Sequence, residues 1–343
     1  MEETHSGEQT DLLPDTDVRE TGTKRKSAAG KIILISAAAL YFLAFAILSL
    51  NSIFGISDSL PAWEDLYYAA GLRVTAYTGH ESGTVSVHFI NVGQGDCALI
   101  RTGEKNILID SGEWEEYTKV SRYLSAQGIT DLDSVIISHQ HSDHMGCMYR
   151  IVQRFGASEI IMPEVPEYLL PASGSFVKLE ELVKEMNIPV RAAAPGITAD
   201  TDGCGKLTFI APVNEYDDLN NFSAVVKYTF GDVSFLFCGD IESEAEADII
   251  ASGADLSATV IKAPHHGSLS SSTKAFINAV SPEYTVFCAG NESEYGHPNA
   301  DVVQRYTAIG SEIYRTASDG DIVFVTDGSN IEVYTTKQRS DAA

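Results

Sequence analysis

Ser138-His139-Gln140-His141-Ser142-Asp143-His144 places three imidazoles and a carboxylate directly behind the apolar, β-branched run Asp133-Ser134-Val135-Ile136-Ile137. A strand that ends this way delivers its side chains to one edge of a sheet. The pair His265-His266 follows another strand-like run, Ala258-Thr259-Val260-Ile261. Histidines gathered at strand ends point to a single site.

Neutral imidazole and carboxylate are preferred by zinc and accepted by manganese or iron, and a catalytic site keeps a position open. His139 and His141 are two apart, so in an extended loop their rings project to the same side. Asp143 and His144 then open a helix read through Met145 to Val152, with a carboxylate at the N-terminus as the macrodipole favours, and face a second ion. A surface loop merely rich in His and Asp does not account for the strand-loop-helix frame.

His-x-His-x-Asp-His after an apolar strand resembles the signature of the metallo-β-lactamase superfamily. Lys105-Asn106-Ile107-Leu108-Ile109-Asp110-Ser111-Gly112 resembles its first motif, which implies that Asp110 supports the metal loop without binding metal. Val233 to Cys238 followed by Gly239-Asp240 resembles the fourth motif, implying Asp240 as a bridge between two ions. Lys262-Ala263-Pro264-His265-His266-Gly267-Ser268 resembles the fifth, which adds a histidine to the second ion. Phe89-Ile90-Asn91-Val92-Gly93-Gln94-Gly95-Asp96, the His-His-Gly-Ser segment, and Tyr295-Gly296-His297-Pro298 with Tyr314-Arg315-Thr316 narrow the likeness to the extracellular hydrolase domain of ComEC-type competence proteins, over about 85–325.

One departure stands out. The superfamily takes a third histidine for the first ion from its third motif, yet residues 145–264 contain none, and Asn220-Asn221-Phe222-Ser223 occupies that place. The resemblance therefore implies two divalent ions, Zn or Mn. The first, on His139, His141 and shared Asp240, is weak and labile; the second is held by Asp143, His144, Asp240 and His266. The resemblance implies His266 as the ligand and His265 as the substrate-facing group, an assignment that the residues themselves leave open to exchange. His265, Ser268, Asn221 and His297 are the substrate-contacting candidates, and Asp110, Asp143, Asp240, His265 and His297 the catalytic ones. His5, His80 and His88 follow no pattern.

Two cations about 3.5–4 Å apart activate a bridging water and neutralise charge in an in-line displacement. The reading is a phosphodiesterase or nuclease using metal-bound hydroxide. Beyond residue 31 the chain has 41 acidic against 18 basic residues, −23 with neutral histidines. Nucleic-acid binding rests on Lys and Arg neutralising successive phosphates, and no basic run exists there. Local cleavage of single-stranded DNA, with uptake left to a separate channel, thus competes with hydrolysis of a small phosphocholine-type head group of the envelope. A non-catalytic binding module with a vestigial site is the third reading; a β-lactamase is disfavoured without the third-motif histidine.

The chain is expected as a tail (1–31) that is disordered, a transmembrane helix (32–50), a connector (51–84) and a hydrolase domain (85–343). Ile32 to Leu50 is uncharged and, at about 1.5 Å per residue, nearly spans a bilayer core. Lys24, Arg25, Lys26 and Lys31 precede it while Asp58, Glu64 and Asp65 follow, which puts the tail in the cytoplasm and the hydrolase outside. A cleaved signal peptide is the alternative, though its apolar core is usually shorter and Leu50-Asn51-Ser52-Ile53-Phe54 offers no clear small-x-small site. Within the connector, 61–70 reads as an amphipathic turn or helix near the membrane, its aromatics alternatively packing on the hydrolase.

Strand-like runs at 85–91, 96–101, 106–110, 133–138, 158–162, 206–211, 223–230, 232–238, 258–262, 284–288, 312–315, 321–326 and 330–335 alternate with helical stretches near 114–127, 143–155, 175–187, 241–252, 271–280 and 299–309, an α/β pattern. The four-layer αββα sandwich is implied by the resemblance. The proline-containing stretch 163–204 is read as lining the substrate entrance. Five cysteines form no close-spaced motif; their odd count leaves at least one free in any pairing.

Overall fold

A computed structural model of the chain describes residues 20–54, 60, 63, 66, 83–170, 174–290 and 295–337. These belong to two compact units, 1–69 and 70–343.

In the first unit, helix α1 (Glu20–Phe54) contains a stretch, Ala29–Asn51, that is long and apolar enough to cross a membrane, with a mean hydropathy of 2.5. The helix starts well ahead of Ile32 because the residues before the apolar run include good helix formers and no proline. Hydropathy marks the apolar span, not the helix. Trp63 folds back on α1: its ring meets Phe45 edge-on at 5.2 Å and its indole N–H donates to Ser49 Oγ at 3.1 Å. The rest of the turn read at 61–70 lies mostly outside the described residues, as do residues 1–19 of the tail read as disordered over 1–31; its residues 20–31 are instead the start of α1.

In the second unit the described residues form two sheets. The strands are β1 (Val85–Phe89), β2 (Ala98–Arg101), β3 (Asn106–Ile109), β4 (Ser134–Ile136), β5 (Glu159–Met162), β6 (Val190–Ala192), β7 (Thr198–Ala199), β8 (Lys206–Phe209), β9 (Val226–Phe230), β10 (Val233–Phe237), β11 (Val260–Lys262), β12 (Tyr284–Phe287), β13 (Glu312–Arg315), β14 (Ile322–Thr326) and β15 (Ile331–Thr335). One sheet has the order β15-β14-β1-β2-β3-β4-β5-β6, the other β13-β12-β11-β10-β9-β8-β7. β3 to β6 run parallel, and so do β10 to β13.

Period-two alternation sorts the side chains into layers. Phe89, Ile109, Ile136, Val226, Phe235, Phe237 and Phe324 fill the space between the sheets. Leu99, Leu108, Val135 and Ile160 face outward, under α2 (Tyr117–Ala126), α4 (Met148–Phe155) and α5 (Gly174–Met186). On the second sheet Leu236 and Ile261 are covered by α6 (Ser243–Ala251), α7 (Lys274–Val280) and α8 (Ala300–Ala308). The result is a helix-sheet-sheet-helix sandwich.

Two expectations change. The helix read from 143 to 155 is broken into α3 (Ser142–Met145) and α4 at Cys147, whose backbone (φ −100°, ψ 2°) leaves the helical region; Gly146 just before it lies so close to Trp114 N and Glu113 C that a side chain there would collide. Residues 163–204 contribute α5 and the edge strands β6 and β7, and none of the described ones lines the cleft beside Asp143 and His266. All five cysteines are unpaired; burial pushes the Cys147 thiol up to about 12, which keeps it unreactive.

His88, unassigned by pattern, is a structural histidine, bonded to Ser86 Oγ at 2.8 Å and Tyr123 Oη at 2.7 Å. Burial, reinforced by Arg101, lowers its pKa from 6.5 to about 3. Between those values the unfolded chain binds the extra proton. The stability His88 contributes is therefore complete above pH 6.5 and is lost on acidification toward 3, at about 1.4 kcal/mol per pH unit. Urea unfolding at pH 7 and pH 4 should show an acid-induced loss smaller by about 2–3 kcal/mol in His88→Gln than in the parent; equal losses would refute this role.

Candidate metal centre

The side chains read as ligands sit at the carboxyl ends of the parallel strands, where open α/β sheets place their sites. Asp110 follows β3, His139 to His144 follow β4, Asp240 follows β10, and His265 and His266 follow β11. Each loop has a local reason for its shape. Gly239 has φ 53°, and a side chain there would strike Ser223 Cβ at 2.7 Å and Ser138 Cβ at 2.9 Å, so only glycine lets Asp240 enter between them. His265 and His266 both adopt left-handed backbone, φ 47° and 52°, a strained arrangement of the kind found at functional sites.

Asp143, His144, Asp240 and His266 come together. His266 Nε2 lies 3.1 Å from both Asp143 Oδ2 and Asp240 Oδ2; His144 Nε2 lies 3.3 Å from Asp240 Oδ1 and 3.8 Å from Asp143 Oδ2. Ligands at about 2.0–2.2 Å from a tetrahedral ion stand about 3.3–3.6 Å apart. His144 Nε2 is buried without a hydrogen-bond partner, so a cation has a ready place there. The residues fit a divalent metal.

The opposite ring nitrogens are committed elsewhere, as metal-site histidines require. His144 Nδ1 meets Asp110 Oδ2 at 2.9 Å, and His266 Nδ1 meets the Cys288 carbonyl at 2.8 Å. Asp110 also accepts from Ser138 N at 2.7 Å and Ser138 Oγ at 2.6 Å, tying the metal loop to β3. Burial pushes the Asp110 carboxyl up in spite of these bonds. Of the ambiguous pair, His266 enters the cluster; His265 stays at the rim, its Nδ1 3.2 Å from Glu242 Oε1.

His139 and His141 pair with each other, Nε2 to Nδ1 at 2.9 Å. Burial holds His139 well below the usual histidine range. Among the described residues no three His, Cys, Asp or Glu ligands assemble around them. Asp240 is close to the His144 and His266 end of the site.

A cleft of about 330 Å³ opens over these groups, lined by Gln94, Glu113, Asn220, Tyr295 and His297 beside the ligands, and by no lysine or arginine among the described residues. Tyr295 stacks on His297 at 5.8 Å. Burial, with His266 and His265, lowers His297 to about 4, so its ring is neutral at pH 7. Two sequence-read substrate contacts fall outside the cleft. Ser268 Oγ turns to Ser270 Oγ at 2.9 Å, and Asn221 is buried, its Oδ1 accepting from Glu242 N and Ala245 N at the start of α6. Asn220 faces the cleft instead. Larger grooves elsewhere, about 720 and 1030 Å³, hold no comparable cluster.

The metallo-β-lactamase superfamily model matches residues 90–290. The chain belongs to that superfamily. It is 29% identical to Competence protein ComA of Neisseria gonorrhoeae over 236 residues, 68% of this chain and 31% of that protein. It is 25% identical to ComE operon protein 3 of Bacillus subtilis over 259 residues, 69% of this chain and 32% of that one. The chain thus spans about a third of the length of these relatives. Among solved structures, a metallo hydrolase from Ignicoccus hospitalis is similar over 70% of this chain and 98% of its own, at 17% identity and a TM-score of 0.44.

Two residues important to the site, Asp96 and Lys262, lie within the quoted motifs, yet the sequence reading gives neither a role. Lys262 ends β11 facing inward, 3% exposed, and its ammonium lies 2.5 Å from Asp96 Oδ2, 3.0 Å from the Gly239 carbonyl and 3.5 Å from Asp240 Oδ1. Asp96, in the Gly-Gln-Gly-Asp turn, reaches His266 Nδ1 at 3.4 Å. Burial raises the Asp96 carboxyl, but Lys262 and then His266 overcome it and hold it ionised. The available signal was a lysine closing an otherwise apolar strand. In metal-free buffer Lys262→Met should lower stability by about 3–5 kcal/mol, because it strands buried carboxylates, and adding Asp96→Asn should restore part of the loss. A single-variant loss under about 1 kcal/mol in chemical denaturation would contradict that assignment.

Proposed function

We propose that the chain is a metal-dependent phosphodiesterase tethered to a membrane by α1, with its hydrolase domain on the outer side. The observation that carries the hydrolase reading is the four-ligand cluster of Asp143, His144, Asp240 and His266 opening into a cleft. Asp143, His144, Asp240 and His266 would hold a divalent ion, which would supply an activated water and charge neutralisation at a phosphoryl group. The chain's own groups do the rest. Asp110 fixes the His144 ring, Lys262 and Asp96 fix Asp240 and His266, and neutral His297 with His265 offers hydrogen bonds to phosphate oxygens at the rim.

Single-stranded DNA as substrate is supported by the competence-protein relatives. A small phosphodiester head group is supported by a cleft that no lysine or arginine lines among the described residues, since groove tracking along a polyanion needs such cations. Both use the same reaction. The outward orientation is supported by the basic residues Lys24, Arg25, Lys26 and Lys31 ahead of the apolar span.

The whole chain in detergent, loaded with Mn²⁺ or Zn²⁺, should hydrolyse bis-p-nitrophenyl phosphate. Parallel rates on labelled single-stranded DNA and p-nitrophenylphosphorylcholine rank the substrates. Chelation, His141→Ala or Asp240→Ala should each reduce the rate by roughly 100-fold or more, at least the cost of losing an outer-shell partner. Protease applied to intact cells should remove the activity. Cleavage of none of the three with metal bound would reject the enzyme reading and leave a binding module.

A further inference from the structure

We propose that Asn220, which lines the same cleft as His141, is the protein ligand that completes the first metal position with His139 and His141, in a stretch of chain that offers no third histidine. This rests on the metal-binding reading of the site but not on any substrate.

The segment 220–223 is laced onto the metal loop. Ser223 Oγ lies 3.3 Å from His139 Nδ1 and accepts from Asp240 N at 3.0 Å, and Ala224 N donates to the Ser138 carbonyl at 2.8 Å. Phe222 is buried in the outer core of the second sheet. Asn221 is used up in closing the loop: its N–H and Nδ2 donate to Asp218, at 2.9 and 2.8 Å, while its Oδ1 caps α6. Asn220 is what remains to face the cleft, which it shares with His141, Asp240 and His265.

The amide is oriented for this task. Asn220 Nδ2 donates to Glu242 Oε1 at 3.4 Å, an oxygen that also accepts from Ser270 Oγ at 3.0 Å. Reversing the amide would set its oxygen against that carboxylate. Asn220 Oδ1 is consequently buried with no hydrogen-bond partner, a state native proteins avoid unless another species satisfies the atom. A cation held by His139 Nε2 and His141 Nδ1 would satisfy it. Two imidazoles and a neutral amide oxygen bring no charge of their own, whereas the second position has two carboxylates. Such a set binds more weakly, and its oxygen suits manganese better than a third imidazole would.

The test counts metal without substrate. Metal-free whole chain in detergent is titrated with Mn²⁺ and with Zn²⁺ by isothermal calorimetry, and bound metal is measured by mass spectrometry. The parent should show two events of unequal affinity. Asn220→Ala should weaken the weaker event by about tenfold or more, the scale on which loss of a supporting group lowers metal affinity, and leave the tight event unchanged as an internal control for folding. Asn220→His should tighten the weaker event by a similar factor. A single event in the parent, unchanged events in Asn220→Ala, or loss of both events together would overturn the assignment. An Asn220 that only hydrogen-bonds substrate would give the second of these results. Because no turnover is measured, failure here leaves the phosphodiesterase reading intact, and absence of turnover with two ions bound leaves Asn220 intact.

Discussion

Burying several carboxylates at one point is costly unless positive charge is supplied. Asp96, Asp110 and Asp240 are almost fully buried, with Asp143 beside them, and Lys262 is a buried ammonium that meets Asp96 and Asp240. The remaining compensation comes from imidazoles placed by the strand ends and, on the proposed reading, from divalent ions. Much of the local architecture follows from this need. Asp110 accepts three hydrogen bonds, Gly239 opens a gap for Asp240, and the strained His265-His266 turn brings one ring inward and leaves the other at the rim.

The sandwich provides the rigidity such a cluster needs. The inner layer, with Phe89, Phe235, Phe237 and Phe324, locks the two sheets together, so loops from both are held at fixed separation. Lys262 couples them across that layer, because it lies on β11 of one sheet and pairs with Asp96, which precedes β2 of the other. Burial of both partners makes this pair costly to break and thereby holds the two halves of the site in register.

Much of the fold was legible because alternation along strands such as Val85–Phe89 and Val233–Phe237 records which face is buried. The short edge strands Val190–Ala192 and Thr198–Ala199 were not, since two or three residues carry no period and prolines surround them. At the site, the His-x-His-x-Asp-His loop was legible from residue type and spacing. The choice between Asn220 and Asn221 was not, because it depends on Asp218 and the first turn of α6 capturing one of them. Ser268 was misplaced for a similar reason, its hydroxyl being taken by Ser270. Lys262 and Asp96 meet only through the fold, more than 160 positions apart, and no local pattern announces the contact.

The central claim is that the sandwich builds one complete metal position and one dependent on neutral ligands. Anomalous diffraction from crystals soaked at low and then saturating Mn²⁺ or Zn²⁺ tests it most directly. At low metal a single peak should lie about 2.0–2.2 Å from ligand atoms of Asp143, His144, Asp240 and His266, with a second peak by His139 and His141 appearing only at saturation. Metal filling the His139–His141 position first, or no peak at the four-ligand cluster at saturation, would contradict the account.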